Sequence, residues 1–168
     1  MTTMHTAPAR RTARGALVAL LTGAGLVLTP LAAQASAPDT AAVAAAPAAA
    51  SSATAQVAVD TALAQLGDPY IWAAAGPDAF DCSGLTQFAY AAAGISLPHS
   101  SNMQSTMGTY VAKADLQPGD LVFFYTPVSH VGMYIGNGQM VHAPTTGSVV
   151  KIVSLDAMPD YNTARRLA

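Results

Sequence analysis

An α+β fold, with N-terminal helices packed on a small antiparallel β-sheet, follows from three features of the sequence. Apolar residues recur at helical spacing up to about residue 104, and strand-like runs broken by Gly, Pro and Asn follow Pro118-Gly119. The two textures do not alternate. Segregated helices and strands point to helices laid on an antiparallel sheet, whereas alternation would point to a parallel one.

Val57, Ala58, Thr61, Ala62 and Gln65-Leu66 predict a first helix. Gly67 stops it, and Pro69 disfavours helical backbone at Asp68 before it. A second helix begins at Asp81-Cys82 and runs to Ala93, where Gly94 supplies the stop; Leu85, Phe88, Ala89 and Ala92 form its apolar stripe. Ser100 caps a short third helix through Gln104. Strands are predicted over Leu121–Tyr125, Val131–Ile135, Gln139–His142 and Val149–Val153, each bounded by turn residues.

The chain has 168 residues and divides by composition into three parts. Residues 1–35 have the layout of a secretory signal. Arg10, Arg11 and Arg14 form the basic region, Ala16 to Leu31 the apolar region, and Ala33-Gln34-Ala35 the cleavage site. Thr22, Thr29 and Pro30 interrupt the apolar run, which weighs against the alternative of a retained membrane anchor. Residues 36–54 are nearly all Ala, Pro, Ser and Thr and read as a flexible tether, too poor in large apolar groups to offset the entropy of ordering. Residues 55–168 remain as one catalytic-sized domain with a single core. The expectation is a monomer, secreted to the extracellular space or cell wall, with no stable membrane insertion after cleavage.

Loss of the signal leaves four basic residues against nine aspartates, a net charge of −5. That balance excludes nucleic acid as an expected partner.

The sequence contains one cysteine. A single thiol in an exported chain is an inert buried group, an intermolecular bridge or a reactive nucleophile. Phe80-Asp81-Cys82-Ser83-Gly84-Leu85 places it in the first turn of the second helix. Unpaired N–H groups and the positive end of the helix dipole there should lower its pKa. Cys82, Leu85 and Ala89 share one face, so the thiol points inward at the sheet. The candidate bases are His130 and His142.

The turn Gly136-Asn137-Gly138 sets their geometry. A three-residue loop with Gly138 left-handed pairs Ile135 with Gln139 and His130 with Pro144. His130 and His142 then become diagonal neighbours on one face, while Val131, Met133, Ile135 and Val141 take the other. A two-residue turn would send the histidines to opposite faces. Gly132 is expected to leave room beside His130 for a helix terminus or substrate. This arrangement supports nucleophilic acyl transfer. His130 takes the Cys82 proton, His142 orients His130, and the Cys82 N–H with Tyr70 meets the oxyanion.

Five segments, in order, resemble the NlpC-like cell-wall peptidases, small papain-like enzymes that cleave peptidoglycan stem peptides. They are Pro69-Tyr70-Ile71-Trp72, Phe80-Asp81-Cys82-Ser83-Gly84-Leu85, Leu116-Gln117-Pro118-Gly119-Asp120-Leu121-Val122-Phe123-Phe124, Ser129-His130-Val131-Gly132-Met133-Tyr134-Ile135-Gly136, and Val141-His142-Ala143-Pro144. The resemblance spans about residues 65–166. It implies a papain-like fold with Cys82 as nucleophile, His130 as general base and His142 as the third polar residue. Tyr70, Asp81 and Ser83 would line the substrate pocket, no metal or cofactor would be needed, and the bond cut would join D-γ-glutamate to a diamino acid. Two positions depart from the family pattern. Ala73 and Ala74 replace the usual glycines after the tryptophan, and His99 replaces the usual arginine of a Leu-Pro-Arg segment; both touch the substrate side.

Rival readings are an amidase or acyltransferase of the same fold, and a non-catalytic wall-binding module. The intact Cys82, His130 and His142 set weighs against the module. A zinc site from the same three residues is disfavoured by their spacing and by the absence of any glutamate. His99 reads equally as a polar loop residue before the cap at Ser100.

Overall fold

The computed structural model describes residues 51–168, so the expected signal and nearly all of the expected tether lie outside the described residues. Helix α1 spans Ala53–Leu63 and is capped by Ser52, whose side chain accepts from the Ala55 N–H. It therefore begins inside the stretch read as tether and ends three residues before Leu66. Small residues set its packing. Ala55, Ala58, Val59 and Ala62 face inward, while Val57 is exposed.

Helix α2 spans Cys82–Ala92. At its end the Ile95 N–H bonds Tyr90 O, the Gly94 N–H bonds Ala91 O, and Gly94 is left-handed. This double closure satisfies carbonyls that a helix end otherwise orphans. Leu85 and Ala89 are buried as expected, and Tyr90 joins them, but Ala92 lies on the exposed side. A short helix α3, Ser101–Gln104, follows with Ser100 as its cap. Among the described residues, no helix is long and apolar enough to cross a membrane.

Among the described residues six antiparallel strands form one sheet: β1 (Thr109–Tyr110), β2 (Leu121–Phe124), β3 (His130–Gly136), β4 (Gln139–His142), β5 (Lys151–Ser154) and β6 (Tyr161–Arg166). Their order is β1-β6-β2-β3-β4-β5. The α+β class and helix-then-sheet order match the sequence expectation. Strands β1 and β6 were not foreseen, and β5 starts two residues later than predicted. Strand β6 runs beside β2 and is fastened by Arg166, which grips the buried Asp120 carboxylate through two bonds, from Nε at 2.8 Å and from its terminal nitrogen at 2.7 Å. Paired with Asp120, this charge-rich strand tolerates a half-buried place.

The sheet carries a core on each face. Leu121, Phe123, Val131, Met133 and Val141 pack with Ala58, Ala62, Leu85 and Ala89 of α1 and α2. Val122, Phe124, Met140 and Ala164 pack on the opposite side with Val111 and Leu155. Burial on both faces explains why Leu121-Val122-Phe123-Phe124 is apolar throughout instead of alternating.

The β3–β4 hairpin corrects one expected detail. Its loop has two residues, Asn137 and Gly138, both left-handed, and Gly136 pairs with Gln139 where Ile135 was expected. A bulge at Ile135 then absorbs one residue, so Met133 pairs with Val141 and Tyr134 with Met140. The register predicted for the body of the ladder is recovered by a different route. Without the bulge, a two-residue turn would have separated the histidines.

Gly84 is the tightest point between α2 and the loop ahead of it. A methyl group there would run into the Ala74 carbonyl oxygen and the Ala75 backbone. Gly84→Ala should therefore cost about 2–3 kcal/mol, measured as a lower denaturant midpoint with unchanged slope.

Candidate active site

Asp81 organises the start of α2. Its side chain is buried, and Oδ1 accepts from the Gly84 N–H at 2.7 Å and the Ser83 hydroxyl at 3.1 Å. Oδ2 accepts from the Ala73 N–H at 3.0 Å, and His99 Nε2 lies 2.8 Å from both oxygens. One carboxylate thus caps the helix, pins the loop after Trp72 and holds His99. Ala73 adopts a left-handed φ of 62°, a conformation that costs an L-residue about 1–2 kcal/mol. Asp81, Ser83 and His99 line a cavity of about 360 Å³ together with Cys82 and Trp72.

Cys82 is the first residue of α2 and faces the core with Leu85 and Ala89. The sequence leads one to expect a lowered pKa, and the structure reverses this. Burial pushes the thiol up and the Asp81 charge adds to the rise, while the N–H groups of Val131, Ser83 and Cys82 itself pull the other way. A helix terminus favours a thiolate, but here desolvation outweighs it.

His130 opens β3 and His142 closes β4. His130 Nε2 lies 2.9 Å from His142 Nδ1, with the rings nearly perpendicular at 80°. Both are buried, and burial lowers His130 to about 4 and His142 to about 3; the neighbouring His130 and Lys151 charges also depress His142. Each imidazole is consequently neutral near pH 7. The resting pair is thiol and imidazole, not thiolate and imidazolium.

The histidines share a face, as the register requires, but it is the one opposite α1 and α2. His130 packs by Phe124, 6.0 Å between ring centroids, on the side of Met140 and Val122. Cys82 approaches from the other side, at the end of the sheet, where the Val131 N–H reaches it. Among the described residues no hydrogen bond joins the thiol to an imidazole. Gly132 does not make room for the helix or a ligand, because a methyl there would meet Met140 Sδ at 2.9 Å and His142 Cβ at 3.4 Å. Its missing side chain lets β4 seat His142.

His130 and His142 line a second cavity of about 440 Å³, and Ser129 borders both cavities. The two therefore meet at Ser129, with Cys82 on one side and the histidine pair on the other. Tyr70 is half-buried near this centre, its phenol pushed up by burial and by the Cys82 and Asp81 charges; its hydroxyl makes no hydrogen bond among the described residues. Ser129 and Lys151 were not singled out from sequence. Ser129 sits inside a quoted motif, whereas Lys151 becomes visible only once β4 and β5 are paired.

A model of the NlpC/P60 family matches residues 67–165. A probable endopeptidase of Corynebacterium glutamicum is 48% identical over 100 residues, covering 60% of this chain and 48% of that protein. A probable endopeptidase of Mycobacterium tuberculosis is 50% identical over 101 residues, 60% of this chain and 26% of that protein. The chain thus spans about half the length, or less, of these curated relatives. Among solved structures, NlpC2 from Trichomonas vaginalis superposes with a TM-score of 0.65 at 37% identity, covering 71% of this chain and 48% of that one. The peptidoglycan hydrolase RipB of Mycobacterium tuberculosis gives 0.62 at 30% identity, covering 67% and 64%. The matched segment contains α2, the hairpin and every residue of the Cys82, His130 and His142 cluster, and the chain belongs to the NlpC/P60 family.

Proposed function

We propose that this chain is a secreted cysteine endopeptidase that hydrolyses peptidoglycan stem peptides, cutting the amide between D-γ-glutamate and a diamino acid. The observation that carries the reading is that the sole thiol, at the N-terminus of α2, and a hydrogen-bonded histidine pair line two cavities that share Ser129. Relatives named probable endopeptidases and a structural neighbour named a peptidoglycan hydrolase support the substrate class.

In the proposed reaction His130 removes the Cys82 proton as Sγ attacks the amide carbonyl carbon. The Sγ–C bond forms, and the negative charge on the carbonyl oxygen is met by the Cys82 N–H and the Tyr70 hydroxyl. His130 returns the proton to the leaving nitrogen as the C–N bond breaks. Water, deprotonated by the same imidazole, then attacks the thioester, releases the acid and restores the thiol. For Nδ1 of His130 to act as base, Nε2 must hold a proton and donate it to His142 Nδ1. His142 thus fixes the tautomer of the base, as the third member of a triad does. Asp81 and Ser83 hold the floor of the cleft on the acyl side, with His99 Nε2 within hydrogen-bond distance of the Asp81 carboxylate.

The decisive test is digestion of purified muropeptides by the full chain and by Cys82→Ala, with products identified by mass spectrometry. Wild type should release the diamino-acid fragment and Cys82→Ala none; equal product from both would end the proposal. A fragment cut elsewhere would indicate an amidase of the same fold. His142→Ala should lower kcat about 100-fold or more, with His142→Gln retaining more activity because its side chain can still accept from Nε2.

The pH profile follows from burial. Catalysis needs neutral His130, and its depressed value near 4 keeps it neutral well below the ordinary histidine range. The acid limb of kcat/KM should therefore fall near pH 4 and not near 6.5. A midpoint at 6.5 would show that His130 titrates as a solvated imidazole.

A further inference from the structure

The cavity behind the histidine pair has a role that rests on the peptidase reading and sharpens it. Proton return to the leaving nitrogen comes from His130, so the amine half of the substrate must lie on the His130 side of the scissile bond, while the acyl half stays with Cys82. The two cavities are divided in the same way. Cys82 and Asp81 line the smaller one, and His130, His142 and Lys151 line the larger.

The larger cavity carries positive charge. No aspartate lines it, and its one formal charge is Lys151. Lys151 is exposed and makes no ion pair or side-chain hydrogen bond among the described residues, whereas Lys113 and Arg166 are paired with Asp156 and Asp120 and Arg165 bonds the Ser105 carbonyl. Its position is set by the sheet. Lys151 pairs directly with His142 across β4 and β5, so both side chains leave the same face. His142 Nε2, which bears the proton in the tautomer required above, is buried there without a partner. A cation free of any carboxylate and an unpartnered donor thus belong to one cavity on the His130 side.

We propose that Lys151 is a specificity residue that binds a free carboxylate on the amine side of the scissile bond. The chain accordingly favours stem peptides whose leaving diamino acid retains that carboxylate over those in which it is amidated or lacking. Lys151 acts in substrate selection and does not enter the bond-making steps.

The test compares kcat/KM of the full chain for two stem peptides that differ only in the leaving diaminopimelate, one with its side-chain carboxylate free and one with it amidated. Wild type should prefer the free carboxylate by about tenfold. The preference should collapse to less than about twofold in Lys151→Met, persist in Lys151→Arg, and weaken in wild type at 0.5 M salt, roughly as screening predicts. Thermal unfolding of each variant separates a change in selectivity from a change in fold. A wild-type ratio within about twofold, or a ratio that survives Lys151→Met, would overturn the role of Lys151 while leaving peptidase activity in place. Failure of wild type to cut either peptide would instead sink the peptidase reading and this inference together.

Discussion

The Asp81 carboxylate is the constraint on which the rest of the site depends. It caps α2, accepts the backbone of Ala73 and engages His99. The direction of the helix, the course of the preceding loop and the wall of the cavity beside Cys82 are therefore tied to one buried group. Because Asp81 precedes Cys82 directly, the cap that positions the thiol also raises its pKa. Positioning and activation pull in opposite directions here, and burial decides the outcome in favour of a protonated thiol. In the proposed mechanism activation of the thiol therefore falls to His130, which burial keeps neutral.

A second constraint comes from the hairpin. The bulge at Ile135 keeps His130 and His142 on one face despite a two-residue turn. Gly132 then allows β4 to bring the His142 ring within reach of His130. The pairing of β4 with β5 extends the row to Lys151. A single face of the sheet thus presents His130, His142 and Lys151 in sequence, while the thiol lies on the side of α1 and α2.

Much of this was legible from sequence because it rests on local chemistry. Gly94 and Ser100 mark helix ends through backbone rules that need no tertiary partner, and strand β4 was bounded to the residue by its turn glycine and its alternation. What escaped depends on long-range pairing. Strand β6, Tyr161–Arg166, is polar and ends in two arginines, so its place in the sheet is visible only when Arg166 meets the buried Asp120. The site shows the same divide. Cys82, His130 and His142 could be named from motif and register, but the face they use relative to the helices, and the sign of the Cys82 shift, required knowledge of what is packed around them. Ala92 was placed on the apolar stripe because such a stripe on a short alanine-rich helix is wide and poorly directed.

In the proposed mechanism all turnover passes through one sulfur atom. Since Cys82 is the only cysteine in the chain, alkylation with iodoacetamide labels a known position, and intact mass gives the labelled fraction. Muropeptide hydrolysis measured across a series of partially labelled samples should fall in direct proportion to the unlabelled fraction and vanish at complete modification. Undiminished hydrolysis by the fully alkylated chain would rule out Cys82 as the nucleophile.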